Sequence, residues 1–140
     1  LQLTRSLTPP DAAISTDVAD DLLIDVDHQR FQQVLINLLQ NAADVIGSGG
    51  RIHIDARRET NGTRLSVADN GPGIAPEDLP RIFDPFFSTK AVGKGTGLGL
   101  FIVHEIIGQH GGTVSVDSQP GQGTRFSIHI PDQKKTENPQ

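Results

Sequence analysis

Three short polar side chains recur with helical spacing on one stretch of the sequence. Asn37, Asn41 and Asp44 lie within residues 29–46, where apolar residues recur every three or four positions. That spacing predicts an amphipathic helix on which the three side chains share one flank of the apolar stripe. Short polar residues are poor helix formers, which favours a ligand-binding flank. A flank of ordinary solvated side chains remains the alternative, because one short motif is only a hypothesis.

A second candidate is a carboxylate at the end of a predicted strand. In residues 64–69, Leu65 and Val67 would face the core, and the two-residue period of a strand places Asp69 with them. A carboxylate on the core face is costly unless it is paired or hydrogen-bonded. Either the strand ends before Asp69, or Asp69 accepts a hydrogen bond from the amino group of a ligand. Gly71 and Gly73, which allow close backbone approach, favour the second interpretation.

A glycine-rich stretch, residues 88–99, carries Lys90 and Lys94 and leads into a second predicted helix. Flexible backbone, two lysines and a helix N-terminus together favour a phosphate site. The glycine spacing matches neither the P-loop nor the dinucleotide fingerprint. Just before this stretch, Phe83, Phe86 and Phe87 are expected to form a small apolar cluster under the loop.

Composition restricts the class of protein. The 140 residues are enough for one domain with a real core. A net charge of −5, with no basic run longer than Lys134-Lys135, argues against nucleic acid as a partner. No apolar run approaches the roughly 20 residues of a membrane span. The absence of cysteine fits a reducing compartment, so we expect a cytoplasmic domain and leave open whether its parent protein is anchored in the inner membrane.

The remaining elements follow from periodicity and turn signals. Asp27 is expected to cap the first helix. We predict a hairpin turn at Asn61-Gly62 and a short helix that opens at Pro76-Glu77-Asp78. Further predictions are strands at 13–18, 22–26 and 51–57 and around 114–116 and 126–130, and a helix over 101–110. Residues 1–10 are expected to link to an upstream dimerisation region, 11–131 to form the domain, and 132–140 to be a disordered tail.

Five motifs carry a family resemblance: NLLQNAAD, DNGPGI, FDPFFSTK, GKGTGLGL and GQGTRF. In their order and spacing they resemble the ATP-binding catalytic domain of bacterial sensor histidine kinases, in particular the nitrogen-regulatory and dicarboxylate-sensor group. The resemblance implies an α/β two-layer sandwich, in which helices cover one face of a mixed β-sheet. This Bergerat-type fold is shared with gyrase B, MutL and the heat-shock chaperone ATPase.

The resemblance also implies a role for each matched residue, with ATP and Mg²⁺ bound together. Asn41 would hold the Mg²⁺, supported by Asn37, while Asp44 would orient water around the metal. Asn37 and Lys90 are the catalytic candidates. Lys90 is the better candidate for a γ-phosphate contact, because many relatives carry at position 44 a basic residue that this chain lacks. The adenine side would consist of Asp69, Gly71, Gly73 and Ile74, with Thr124 closing the pocket. The phosphate side of a lid would consist of Lys90, Gly95, Thr96, Gly97, Leu98, Gly99 and Leu100.

Kinases of this type phosphorylate a histidine on a separate dimerising helical hairpin. That histidine is expected upstream of Leu1, because His104-Glu105 is only a faint echo of the motif and fits an ordinary helix histidine. The resemblance further implies a homodimeric parent protein and a downstream response regulator. One alternative is a gyrase- or MutL-like ATPase, and another is a regulatory module that binds ATP without transferring phosphate. Gyrase-like relatives carry a glutamate base where this chain has Asn37, which favours the kinase.

Overall fold

The computed structural model describes residues 12–18, 22, 27–47, 49–87 and 97–132. The amphipathic stretch forms helix α1, His28–Ile46, one residue longer than predicted. Asp27 caps it as predicted, since its side chain accepts a hydrogen bond of 3.1 Å from the backbone N–H of Arg30. The helix ends at Gly47, which has a φ of 65°. Its apolar stripe is buried and consists of Val34, Leu38, Leu39, Ala42 and Ile46.

The described ranges contain one mixed sheet of five strands, in the order β1-β2-β3-β5-β4. Strand β1 is parallel to β2, and every other pairing is antiparallel. The strand bounds are Ala13–Val18 for β1, Arg51–Glu59 for β2, Gly62–Asp69 for β3, Thr113–Ser118 for β4 and Thr124–Pro131 for β5. Leu22 lies outside these strands, and the rest of the strand predicted at 22–26 falls outside the described residues.

Both helices cover the same face of the sheet. Alternate residues of β2, β3 and β5 are buried there beneath α1 and helix α2, Gly99–Gln109. The buried strand residues include Ile52, Ile54, Leu65, Val67, Phe126, Ile128 and Ile130. The predicted two-layer α/β sandwich is therefore confirmed. Neither helix of the described ranges has both the length and the hydrophobicity that a membrane crossing requires.

The hairpin between β2 and β3 differs from the prediction. Glu59 pairs with Gly62, so Thr60 and Asn61 form the turn and Gly62 begins β3. An added Cβ on Gly62 would lie 2.2 Å from the carbonyl oxygen of Ile130, on the neighbouring strand. The predicted hairpin is thus confirmed, but its turn lies one residue earlier than predicted, and the sheet contact requires the glycine at position 62.

The helix predicted to open at Pro76 is wrong. Residues 76–78 form a turn, and a single 3₁₀ turn follows at Leu79–Arg81. The backbone N–H of Arg81 bonds the carbonyl of Asp78 at 2.9 Å, three residues back. Pro80 has no N–H to donate to the carbonyl of Pro76, so an α-helix cannot propagate through this segment.

Glycine substitutions near the end of α2 separate backbone entropy from packing. We expect Gly108→Ala to raise the free energy of unfolding by about 0.5–1 kcal/mol, because alanine is the better helix former. An added Cβ there meets no atom within 4 Å. Gly112→Ala should lower that free energy, since its Cβ would lie 2.3 Å from the carbonyl oxygen of His129. Urea unfolding measures both changes. Equal effects of the two substitutions would contradict the steric role of Gly112.

Candidate functional site

Asp69 lies on the face of the sheet that the helices cover. Strand β3 continues through Asp69, so the interpretation that the strand ends earlier is wrong. Its half-buried side chain accepts, at Oδ1, a hydrogen bond of 2.8 Å from the backbone N–H of Gly71. Burial raises the pKa of Asp69, and hydrogen bonds from the backbones of Gly71 and Thr124 offset that rise only in part. The carboxylate therefore retains capacity for a further donor, such as a ligand amino group.

The loop after Asp69 and the turn between β4 and β5 touch through their backbones. An added Cβ on Gly73, whose φ is 79°, would lie 2.1 Å from the carbonyl oxygen of Gln119. An added Cβ on Gly123 would lie 2.1 Å from the carbonyl oxygen of Asp69. At these positions a side chain would separate the two segments. The glycines thus allow one continuous wall to form around the carboxylate.

Ser118, at the end of β4, joins the same two segments through its hydroxyl group. Its Oγ accepts a hydrogen bond of 2.8 Å from the N–H of Ile74 and donates one of 2.9 Å to the carbonyl of Gly123. Since its single proton is then used, the hydroxyl of Thr124, 2.9 Å away, is the donor to Ser118. Sequence reasoning missed Ser118, because no spacing rule marks a serine at a strand end.

Helix α1 runs along the site and contacts both of its ends. Near one end, an added Cβ on Gly71 would lie 3.0 Å from Cγ2 of Val45, so the loop after Asp69 packs on the last turns of α1. Near the other end, Nδ2 of Asn37 donates a hydrogen bond of 3.2 Å to the carbonyl of Gly99, the first residue of α2. At 1.5 Å per residue, Asn37 and Val45 are about 12 Å apart along the helix axis.

Asn41 lies midway between these two contacts and is half-buried. Within the described ranges its side-chain amide has no hydrogen-bond partner, whereas both polar atoms of the Asn37 amide are bonded. An amide oxygen suits Mg²⁺, which prefers oxygen ligands. The amide oxygen of Asn41 therefore fits one ligand position of a hard cation. Asp44 is exposed on the last turns of the same helix.

The two ends of the glycine-rich stretch are held together. The N–H of Phe86 donates a hydrogen bond of 2.8 Å to the carbonyl of Gly97. An added Cβ on Gly97 would lie 2.5 Å from the carbonyl carbon of Phe86. Leu98 and Leu100 follow at the start of α2, and both are half-buried. The predicted site residues Lys90, Gly95 and Thr96 lie outside the described residues.

The phenylalanines before this stretch do not form the single apolar cluster that was predicted. Phe83 packs edge-to-face against Phe126, with ring centroids 6.2 Å apart, and against His104 at 5.5 Å. The guanidinium of Arg81 lies 4.7 Å from the ring centroid of Phe87. Phe86 instead is 75% exposed and has a φ of 69°, and its backbone contacts Gly97. His104 is exposed on α2.

The predicted residues thus form two groups that α1 connects. The first group lies around the half-buried carboxylate of Asp69 and consists of Gly71, Gly73, Ile74 and Thr124. At the other end, Asn37 bonds to Gly99, and the neighbours of Gly99 in the sequence are Gly97, Leu98 and Leu100.

The sequence matches the family described as histidine kinase-, DNA gyrase B- and HSP90-like ATPases over residues 26–134. Over 124 residues it is 46% identical to the sensor histidine kinase ZraS of Escherichia coli (strain K12). That match covers 87% of this chain and 26% of ZraS, so the chain spans about a quarter of the relative's length.

Solved structures of histidine kinases share the fold. The nucleotide-free catalytic domain of ThkA matches with a TM-score of 0.79 and 35% identity, over 93% of this chain and 90% of that chain. ThkA in complex with the response regulator protein TrrA matches with a TM-score of 0.77 and 33% identity, over 96% of this chain and 38% of that chain. Full-length ShkA in complex with AMPPNP matches with a TM-score of 0.79 and 34% identity, over 93% of this chain and 28% of that chain.

The ThkA match covers nearly the whole of both chains, whereas the ZraS match covers only part of a longer protein. The family match in turn spans both ends of the site, from the start of α1 to beyond β5. The chain belongs to the histidine kinase-, DNA gyrase B- and HSP90-like ATPase family, as the ATP-binding catalytic domain of a sensor histidine kinase.

Proposed function

We propose that this domain binds ATP with Mg²⁺ and transfers the γ-phosphate to a histidine on a separate dimerising helical domain of the same protein. The observation that carries the proposal is the placement of Asp69 and Asn37 near opposite ends of one stretch of α1. The intervening length, about 12 Å, suits an extended nucleotide with its base at one end and its phosphates at the other. The AMPPNP bound to ShkA supports this choice of ligand.

Asp69 reads the base in this proposal. Its carboxylate accepts a hydrogen bond from the exocyclic amino group of adenine, while Gly71 and Gly73 let the backbone approach the ring. Guanine has a carbonyl oxygen at the corresponding position, so two acceptors would face each other. Ile74 and Thr124, both tied to Ser118, close the base pocket from the side of the β4–β5 turn.

Asn41 holds the metal in this proposal, because its amide oxygen is available midway along the site. Bound Mg²⁺ would neutralise negative charge on the phosphates. Asp44 orients water around the metal from the next turn of α1. The backbone from Gly97 to Leu100 directs the N-terminus of α2 at the phosphates, and helix N-termini attract anions. Lys90, outside the described residues, is the proposed γ-phosphate contact, with Gly95 and Thr96 beside it.

Asn37 distinguishes phosphotransfer from hydrolysis. Its Oδ1 accepts a hydrogen bond from Gln33 and its Nδ2 donates to Gly99, and an amide does not take a proton at neutral pH. Water gains from a general base, whereas neutral imidazole is already nucleophilic. An amide at this position therefore suits a histidine acceptor, and it argues against the gyrase-like alternative.

The parent protein is proposed to be a homodimer that passes the phosphoryl group to a response regulator. The ThkA structure contains such a regulator, TrrA, which supports this class of partner.

The metal role of Asn41 can be tested by calorimetric titration with ATP. We expect Asn41→Ala to reduce ATP affinity in Mg²⁺ to the level found in EDTA, because the substitution removes an oxygen ligand. Gln40→Ala, at the exposed neighbouring position of α1, serves as the control and should retain the Mg²⁺ dependence. If the Mg²⁺ dependence of Asn41→Ala equals that of the wild type, Asn41 is not a metal ligand.

The raised pKa of Asp69 predicts how stability without nucleotide depends on pH. Because the folded state raises this pKa above the unfolded value, ionisation costs stability as the pH rises through the folded pKa. Asp69→Asn should therefore stabilise the nucleotide-free domain at pH 7 and progressively less as the pH approaches 4. Urea unfolding at several pH values measures this difference.

The same variant should bind ATP more weakly, by about 1–3 kcal/mol, because the altered group no longer matches the adenine amine. An Asp69→Asn domain that gains stability and keeps its full preference for ATP over GTP would remove Asp69 from base recognition.

ATP turnover distinguishes the kinase from a hydrolase. We expect this domain alone to release ADP far more slowly than about 1 per second, an ordinary enzymatic rate. Phosphotransfer should begin when a purified helical hairpin that carries the acceptor histidine is added. A hairpin with that histidine changed to alanine is the matched control. Turnover at an ordinary enzymatic rate without any acceptor would favour the hydrolase.

A further inference from the structure

Gln33 connects to the site through a directed chain of hydrogen bonds. Its Nε2 donates a hydrogen bond of 2.8 Å to Oδ1 of Asn37, one helical turn away on α1. Nδ2 of Asn37 in turn donates a hydrogen bond of 3.2 Å to the carbonyl of Gly99. We call Gln33, Asn37 and Gly99 the amide relay.

The chemistry of the last acceptor fixes the direction of the amide relay. A backbone carbonyl can only accept, so the end of the Asn37 amide that faces Gly99 must be its NH₂ group. Oδ1 then points to Gln33 and needs a donor from it. The side chain of Gln33 is exposed, and it borders an open groove of about 410 Å³ between α1 and α2. Its orientation therefore depends on this bond more than on packing.

The amide relay ties the two helices together at the phosphate end of the site. Asn37 lies one turn before Asn41 on α1, and Gly99 is the first residue of α2. Without a donor at position 33, Oδ1 of Asn37 is unsatisfied and its amide is free to rotate away from Gly99. The start of α2 would then lose this bond to the helix that carries the metal ligand.

We propose that Gln33 is a positioning residue for the Mg²⁺-ATP site, acting through Asn37 to hold the start of α2 against α1. This role rests on the proposed function, in which Asn41 holds the metal and α2 faces the phosphates. The adenine end, built around Asp69, does not contain any member of the amide relay. Gln33 thus affects the binding of the phosphates and leaves the recognition of the adenine base unchanged.

Donor capacity at position 33 is the property to vary. Gln33→Met keeps the length of the side chain without a donor, and Gln33→Glu presents only acceptors to Oδ1. Gln33→Lys restores a donor. We expect Gln33→Met and Gln33→Glu to weaken ATP affinity in Mg²⁺ by about two- to tenfold, the range for one hydrogen bond, with the affinity for adenosine unchanged. Gln33→Lys should restore the wild-type value.

Gln32 provides the matched control, because it is an exposed glutamine at the preceding position of the same helix. The same three substitutions there make the same changes of side chain without touching the amide relay, so they should leave ATP affinity intact. Equal effects at positions 32 and 33, or a Gln33→Lys variant as weak as Gln33→Glu, would overturn the positioning role.

A nucleotide-free measurement separates this proposal from the function on which it rests. In NMR spectra, the side-chain NH₂ signals of Asn37 should shift in Gln33→Met and stay unchanged in Gln32→Met. Unchanged Asn37 signals in Gln33→Met would show that the amide relay is absent. Wild-type protein that shows the amide relay but no Mg²⁺-dependent ATP binding would instead contradict the proposed function.

Discussion

The carboxylate of Asp69 at the end of the central strand β3 is the constraint on which the proposed base end of the site depends. It is half-buried, and burial opposes its charge more than its backbone hydrogen bonds compensate. The flanking segments approach closely enough to supply those bonds because the contact positions are glycines, namely Gly71, Gly73 and Gly123. In the proposed function, such a site exchanges stability of the empty domain for recognition of the bound base.

The proposed phosphate end of the site follows a different principle. There the contacts are side-chain amides on the rigid helix α1, and the amide of Asn37 is already satisfied on both sides before any ligand arrives. The side-chain amide of Asn41, in contrast, has no hydrogen-bond partner in the described part of the chain. One helix therefore sets the distance between Asp69, the proposed contact of the base, and Asn41, the proposed metal ligand.

Local patterns in the sequence predicted the residues whose placement depends on a single element. The period of α1 placed Asn37 and Asn41 together, and the two-residue period of β3 placed Asp69 on the core face. Predictions failed where distant residues decide. Gly62 is required by the carbonyl of Ile130, 68 positions away in the chain, rather than by a turn. Ser118 was missed for the same reason, since its partners lie on other segments.

Strand β1 lies at the edge of the sheet, where it pairs with β2 alone among the described strands, and it is not part of the site. Strands β2 and β3, like β4 and β5, are neighbours in sequence and pair by closing short loops. Strand β1 meets β2 only across α1, with Ser15 and His53 paired although 38 positions apart. Strand β1 lies at the edge of the sheet and buries few of its side chains. We therefore expect β1 to open first, while β3, β5 and α1 keep the site assembled.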